Sequence, residues 1–483
     1  SGDLLRLVPQ GVTQREVEPL TLPGHEQPIA VHEVTAVGAA VTRAAPSEDR
    51  ARAFVGRERE CATLGEHLAS AESGVGRVVV LVAEAGAGKS RLLDEMRRRG
   101  AERAMRVLSG RCDAYGATTP FLPFVDAVHE ALAVPSGGSV EERHEAALRG
   151  VRALDASLEG SLPLFLGLLG IPSESHPLPQ DLRGELFQAA MLEAIAALFT
   201  LAAVQHPTLL LLEDWHWADE ASRAALRQLG EIAGAFPLCI AVTARPEGAM
   251  ELATDEHVSL LHLSPLDRSS SEWIARAVLR ADRVAPELSQ WLHERTGGNP
   301  FFLEEVCEDL VESQAVRLVE GEAQADRAMV LAVPGTVQGV LRTRMDRLDD
   351  ESRDTLRVAA VVGREFTRGV LEDVVEYADA LVASLERLKS SGLVQQVAVV
   401  PEPAYRFKHV LTQEVAYDSL LEHQRTMLHA AVGRAIETRY AAQLEKHVER
   451  LTHHFGRAEE WEAAVRYGLQ AAAYPLQLAA NSP

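Results

Sequence analysis

Apolar positions follow two regimes along the chain. Between Val78 and Leu263, short aliphatic runs alternate with long amphipathic stretches; beyond Leu263 the apolar positions recur mostly at helical spacing. Five runs read as strands: Val78 to Ala83, Met105 to Leu108, Leu209 to Glu213, Leu238 to Thr243 and Val258 to Leu263. Leu/Ala-rich stretches such as Leu186 to Ala203 lie between them and read as helices. Strands alternating with helices predict a three-layer α/β domain, because a parallel sheet is covered on both faces by its crossover helices.

The flanking regions read differently. Residues 1–37 alternate like short strands, with a turn at Pro23-Gly24 and a last run from Ile29 to Val34, too little for a core of their own. An Ala/Pro/charged stretch from Gly38 to Ala53 reads as a linker. Ser269 to Leu318 reads as helices, followed by amphipathic helices at Pro334 to Leu348, Asp350 to Val362 and Asp379 to Ser390. The run Leu393 to Val400, a turn at Pro401-Glu402-Pro403 and the run Tyr405 to Lys408 then form a hairpin. Three helices followed by a hairpin outline a winged helix. From Thr412 onward the pattern is helical. Ala458 to Ala473, with Trp461, Ala464 and Tyr467 at packing intervals, resembles the first half of a tetratricopeptide-type repeat, a unit that buries its face by stacking on neighbours.

Composition narrows the function classes. The 483 residues suffice for about three domains, and a formal net charge of -22 disfavours a nucleic-acid-binding surface for the chain as a whole. The longest apolar runs, around Val78 to Ala83 and Leu209 to Leu212, are far short of the roughly 20 residues that span a bilayer, so no membrane is expected. Cys61, Cys112, Cys239 and Cys307 are scattered without metal-ligand spacing, which reads as reduced, cytoplasmic thiols. The start at Ser1 and the uncapped end at Pro483 read as a segment of a longer polypeptide.

The first strand run leads into Ala83-Glu84-Ala85-Gly86-Ala87-Gly88-Lys89-Ser90-Arg91, and a helical stretch follows. This is the setting of a phosphate-binding P-loop. Backbone N–H groups wrap the β-phosphate, Gly86 and Gly88 give the loop freedom, Lys89 reaches the β/γ oxygens and Ser90 offers a hydroxyl to Mg²⁺. Ala83 departs from the pattern, which opens with Gly. A P-loop needs acidic partners at a neighbouring strand tip. Leu209 to Leu212 followed by Glu213-Asp214 is such a Walker B run. Glu213 aligns with the Mg²⁺ position and Asp214 with the water-activating one, and the reverse assignment stays open. The next strand ends Thr243-Ala244-Arg245-Pro246, making Thr243 and Arg245 γ-phosphate sensor candidates.

Several fragments in this order carry a resemblance. Phe54 to Glu60, the P-loop, Glu213-Asp214-Trp215-His216-Trp217-Ala218-Asp219, Thr243 to Pro246 and Gly298-Asn299-Pro300-Phe301-Phe302 resemble the signature series of STAND-type signalling ATPases of the AAA+ class, with an Orc1-like ATPase module. The resemblance covers residues 53 to about 425. It implies that Val55, Gly56 and Arg57 line the adenine side, that Pro300 closes over the base, and that His409 touches the β-phosphate of ADP, although Val410 replaces the Asp of that motif. Val361 to Phe366 and Tyr405 to Tyr417 are similar to the ATPase region downstream of bacterial class III adenylate/guanylate cyclase domains, and Leu20 to Val34 resembles the closing strands of such a cyclase. No cyclase activity is expected of this chain, because the catalytic aspartates are not in these residues.

The expectation is therefore an α/β P-loop parallel sheet with a helical lid, followed by a winged helix and an all-α, tetratricopeptide-like start. The boundaries are 1–37 (cyclase remnant), 38–52 (linker), 53–265 (ATPase), 266–332 (lid), 333–425 (winged helix) and 426–483 (helical). Function is expected to be that of a slowly hydrolysing switch using ATP/ADP and Mg²⁺. Glu213, Asp214 and Arg245 would be catalytic; Val55, Gly56, Arg57, Glu84 to Arg91, Thr243, Pro300 and His409 would bind nucleotide; Ser90 and Glu213 would hold metal. The implied partners are a protein bound by the C-terminal repeats, a covalently linked cyclase domain and a nucleotide-dependent oligomer. The alternatives are the ATPase core of a LuxR-type DNA-binding regulator and an ATP-binding scaffold that does not hydrolyse.

Overall fold

Two antiparallel strands, β1 (Val12–Leu20) and β2 (Ile29–Val37), open the chain. The computed structural model describes residues 12–20, 29–37, 55–112, 120–135, 137–179, 182–249, 258–325, 332–375, 377–399, 402–441, 444 and 447–480. The Pro23-Gly24 turn and the 38–52 linker lie outside the described residues. By internal packing the chain divides into two units, residues 1–54 with 341–435, and residues 55–340 with 436–483.

The second unit is built on a parallel sheet. Helix α1 (Glu58–Glu72) precedes β3 (Arg77–Val82), and α2 (Lys89–Glu102) leads to β4 (Arg106–Arg111). A helical insertion follows: α3 (Leu122–Ala131), α4 (Val140–Leu154), α5 (Leu162–Leu168) and α6 (Glu185–Gln205). Then come β5 (Thr208–Glu213), α7 (Glu220–Ala233), β6 (Leu238–Ala244), the short α8 (Pro246–Ala249) and β7 (Val258–His262). All five predicted strands form, and their order is β4-β5-β6-β3-β7 with every neighbouring pair parallel. Val78 to Val82, Leu209 to Leu212 and Leu238 to Val242 are buried, as expected of strands covered on both faces.

Helix α6 exceeds the apolar runs read from the sequence as the longest. It is long and apolar enough to cross a membrane by length and composition, with a mean hydropathy of 1.8, although Glu193 interrupts its apolar run. Its Met191, Ile195, Leu198 and Phe199 belong to the sheet's core. At the sheet edge, a Cβ on Gly110 of β4 would collide with the Pro123 carbonyl of α3. Gly110→Ala is expected to cost about 1–3 kcal/mol through forced backbone movement, read as a lowered Tm.

The predicted helical lid is mixed. Helices α9 (Arg268–Leu279), α10 (Pro286–Thr296) and α11 (Pro300–Glu312) surround a small sheet of β8 (Arg283–Val284), β9 (Val316–Val319) and β10 (Glu322–Ala325). The turn Glu320-Gly321 has φ of +50° and +78°, the geometry of a two-residue hairpin turn. The strands are short and largely exposed, so their apolar signal is weak.

Helix α12 (Val337–Asp346) leads into the other unit, with α13 (Asp350–Val362), β11 (Glu365–Thr367), α14 (Arg368–Glu372), α15 (Leu381–Ser390), β12 (Val394–Ala398), β13 (Ala404–Phe407), α16 (Val410–Asp418) and α17 (Glu422–Arg439). The hairpin expected here gains β11, giving an antiparallel sheet ordered β11-β13-β12. Phe366 packs on Tyr405 and Phe407 with ring centroids 5.9 and 5.5 Å apart.

The chain ends with α18 (Val448–Arg457) and α19 (Trp461–Ala480), packed together. Residues 458–460 connect the two helices, where the sequence pattern predicted helix. Ala464 and Tyr467 are buried, but Trp461 is 64% exposed.

Candidate nucleotide site

The site begins where β3 stops. Ala83 donates its N–H to the Ala244 carbonyl at 3.3 Å and is 6% exposed, so it extends the ladder by one residue. Its φ is not positive, and alanine therefore fits without strain where the usual motif has Gly. The loop turns at Gly86 and Gly88, with φ of +84° and +97°. Gly88 is the N-cap of α2 and supplies no side-chain cap, which leaves the first N–H groups of a 14-residue helix to an outside acceptor. Lys89 Nζ donates to the carbonyls of Ala83 at 2.6 Å and Glu84 at 2.9 Å. Burial lowers the Lys89 pKa to about 8 against the pull of Asp214.

Beside it, β5 carries four fully buried leucines to Glu213 and Asp214. The ladder pairs Glu213 with Arg111 of β4, and Arg111 Nη2 lies 2.7 Å from Glu213 Oε2; Arg111 Nε is 3.8 Å from Asp214 Oδ2. Asp214 has φ +58° and donates its N–H to Thr243 Oγ1 at 2.9 Å. Thr243 is 1% exposed, so it fixes the turn that aims Asp214. A short 3₁₀ turn, Trp215–Trp217, follows. Trp215 is buried edge-on against Phe124 at 6.4 Å, whereas Trp217 faces out. Between them is His216, whose pKa is lowered to about 4 by burial and then by Arg245, keeping the imidazole neutral. The charge of Arg245 acts on both Lys89 and His216.

Asn299, in the segment predicted as the lid, holds the loop. Its Oδ1 caps α11 by accepting from Phe302 N at 3.1 Å, and its Nδ2 donates to the Ala85 carbonyl at 3.1 Å. Phe301 N donates to the Gly86 carbonyl at 3.3 Å. Pro300 Cγ lies 3.9 Å from where a Cβ on Gly88 would stand, so Pro300 borders the P-loop. Arg57 is 6% exposed and donates to the carbonyls of Ala87 at 3.1 Å and Ser264 at 2.6 Å. It acts as a clamp on the P-loop backbone. Gly56 (φ +73°) has no room for a Cβ beside Ser270. Ser90 and Arg91 follow Lys89 on the first turn of α2. His409 lies in the other unit, where its Nδ1 caps α16 by accepting from Leu411 N at 3.1 Å.

Thus Lys89, Asp214, Thr243 and Arg245 lie around the same strand tips. Arg111, Asn299 and His216 are added by the structure. Asn299 and His216 stood inside quoted motifs without a role. Arg111 could have been found only by knowing that β4 and β5 are neighbours.

Residues 53–240 match the family model described as AAA ATPase domain. They are an AAA ATPase domain. Residues 268–324, within the predicted lid, match a family described as a domain of unknown function (DUF8739). A curated relative from Rhizobium meliloti (strain 1021), the uncharacterized protein R02095, is 30% identical over 398 residues, which is 79% of this chain and 37% of that protein. The chain thus spans little over a third of that relative's length. Among solved structures, a Signal Transduction ATPase with Numerous Domains (STAND) protein with a tetratricopeptide repeat sensor from Pyrococcus horikoshii is similar with a TM-score of 0.45. It is 14% identical, and the match covers 89% of this chain and 59% of that one. The Orc1 protein of Aeropyrum pernix, solved in complex with DNA, is similar with a TM-score of 0.34 and 13% identity, covering 76% of this chain and 93% of that one.

Proposed function

We propose that the AAA ATPase domain binds and slowly hydrolyses ATP as the sensor of a STAND-type signalling switch. The observation that carries this reading is the convergence of the P-loop Lys89 with Asp214 and Arg245 at the carboxyl edge of the sheet, where Asp214 favours the Lys89 ammonium and Arg245 opposes it. A nucleoside triphosphate fits what is present: α2 offers uncapped N–H groups, and Lys89 carries a positive charge that its burial disfavours. Phosphate oxygens would take Lys89 from the carbonyls of Ala83 and Glu84. Asp214, aimed by Thr243, would orient the attacking water, and Arg245 would offset charge on the terminal phosphate. Mg²⁺, held by Ser90 and Glu213, would neutralise phosphate charge when bound.

The lid follows the loop because Asn299 and Phe301 hold the carbonyls of Ala85 and Gly86. A shift of the phosphate cradle therefore reaches α11 directly, which is how hydrolysis would become a conformational signal. In this reading residues 333–425 are a winged helix, 426–483 begin a repeat array that docks a protein partner, and 1–37 close a cyclase domain, with oligomerisation following nucleotide state. Arg387 on α15 pairs with Asp349 and Lys389 with Glu386, so this helix offers a poor phosphate-contacting face for DNA.

The test is calorimetric titration of the purified chain with ATP, with and without Mg²⁺, followed by single-turnover hydrolysis. One site per chain, Mg²⁺-strengthened affinity and slow ADP release are expected. Binding without any hydrolysis would favour the scaffold, and absence of binding would refute the reading.

A further inference from the structure

His216 is half-buried on the turn that follows Asp214; its two ring nitrogens are buried, and among the described residues neither Nδ1 nor Nε2 has a hydrogen-bond partner. Its place is set from two sides. Trp215 anchors the 3₁₀ turn in the core, and the Trp217 ring lies against the imidazole at 5.2 Å. On the other side α8 approaches so closely that a Cβ on Gly248 would stand 2.9 Å from His216 Cα and Cβ. The charges that act on the ring are Arg245, Asp214, Lys89 and Glu247, the groups around the phosphate end of the cleft.

An unpartnered buried polar atom destabilises the fold, and an apolar side chain would avoid that cost if packing were the only task. A neutral imidazole needs one acceptor and one donor. A terminal phosphate oxygen is an acceptor, and a water next to it is a donor. We propose that His216 is a γ-phosphate contact that donates one ring N–H to a terminal phosphate oxygen of a bound nucleoside triphosphate and accepts from the adjacent water at its other nitrogen. The inference rests on the ATPase reading of the cleft. A diphosphate leaves both contacts unmade, so His216 makes the site discriminate the triphosphate from the diphosphate.

The test is binding of ADP and of a non-hydrolysable ATP analogue, both with Mg²⁺, to the full chain and to His216→Phe and His216→Gln. His216→Phe is expected to weaken the analogue about tenfold or more while ADP affinity stays within about twofold, and His216→Gln restores part of the loss. Retained ADP binding reports that the variants are folded. Equal weakening of both nucleotides, or no change in either, would overturn the proposal and assign His216 to packing or solvent alone. If the wild-type chain binds neither nucleotide, the ATPase reading fails and His216 falls with it. If the wild type binds both, Lys89→Ala binds neither and His216→Phe keeps the wild-type ratio, then His216 alone is wrong.

Discussion

Lys89→Ala is expected to weaken ATP and ADP binding by about 100-fold or more. A charge-assisted contact to phosphate is worth about 1.5–3 kcal/mol, and a P-loop lysine makes more than one. The nucleotide-free protein supplies an internal control. Folding places the Lys89 ammonium where burial disfavours its charge, so the residue is poised for ligand more than for stability. Among the described residues, truncation removes a donor from the Ala83 carbonyl at the end of the β3 ladder and from the Glu84 carbonyl in the exposed loop, and no other hydrogen bond. The Tm of the free variant should therefore stay close to wild type, while the rise in Tm that ATP gives the wild type disappears. Unchanged affinity would remove the P-loop from the mechanism. A collapse of the free protein's Tm would instead make Lys89 structural.

How much of this was legible follows from what each element buries. The five strands of the large sheet are read from composition because both faces are covered, leaving nearly unbroken aliphatic runs such as Leu209 to Leu212. Strand β11 has three residues and β8 two, and the lid strands are largely exposed, so no hydrophobic period announces them. The Glu320-Gly321 turn was their available sign. At the site, the charged ends of motifs were visible because chemistry demands those residue types. What the motifs could not show is that Arg57 is spent on the carbonyls of Ala87 and Ser264, or that Thr243 holds the Asp214 backbone. Those are long-range contacts set by which strands and loops become neighbours. Ala83 illustrates the converse: a departure at the sequence level is no strain where the strand simply continues.

The separate roles proposed for Glu213 and Asp214 yield the second large effect. Asp214→Asn is expected to lower single-turnover hydrolysis by about 100-fold or more, equivalent to about 2.7 kcal/mol of barrier, with ATP affinity in Mg²⁺ nearly unchanged. Asp214 is aimed by an unusual backbone angle and by Thr243, and its charge reaches Lys89, which suits a group working beside the terminal phosphate. Glu213→Gln should act differently. Its carboxylate lies 2.7 Å from Arg111 Nη2 and shares that guanidinium with Asp214, so the metal would have to be held against a resident cation. Removing the Glu213 charge should raise the Mg²⁺ concentration needed for tight ATP binding by about tenfold, while Mg²⁺-free ATP binding changes little. A Mg²⁺ titration of ATP affinity in both variants decides the assignment. If Asp214→Asn shifts the Mg²⁺ requirement and Glu213→Gln abolishes turnover instead, the roles are reversed and Arg111 must be regarded as partner of the catalytic carboxylate. Arg111→Ala then separates the two cases: with Glu213 as metal holder it should lower the Mg²⁺ requirement, and with Glu213 as the water-orienting group it should lower the rate.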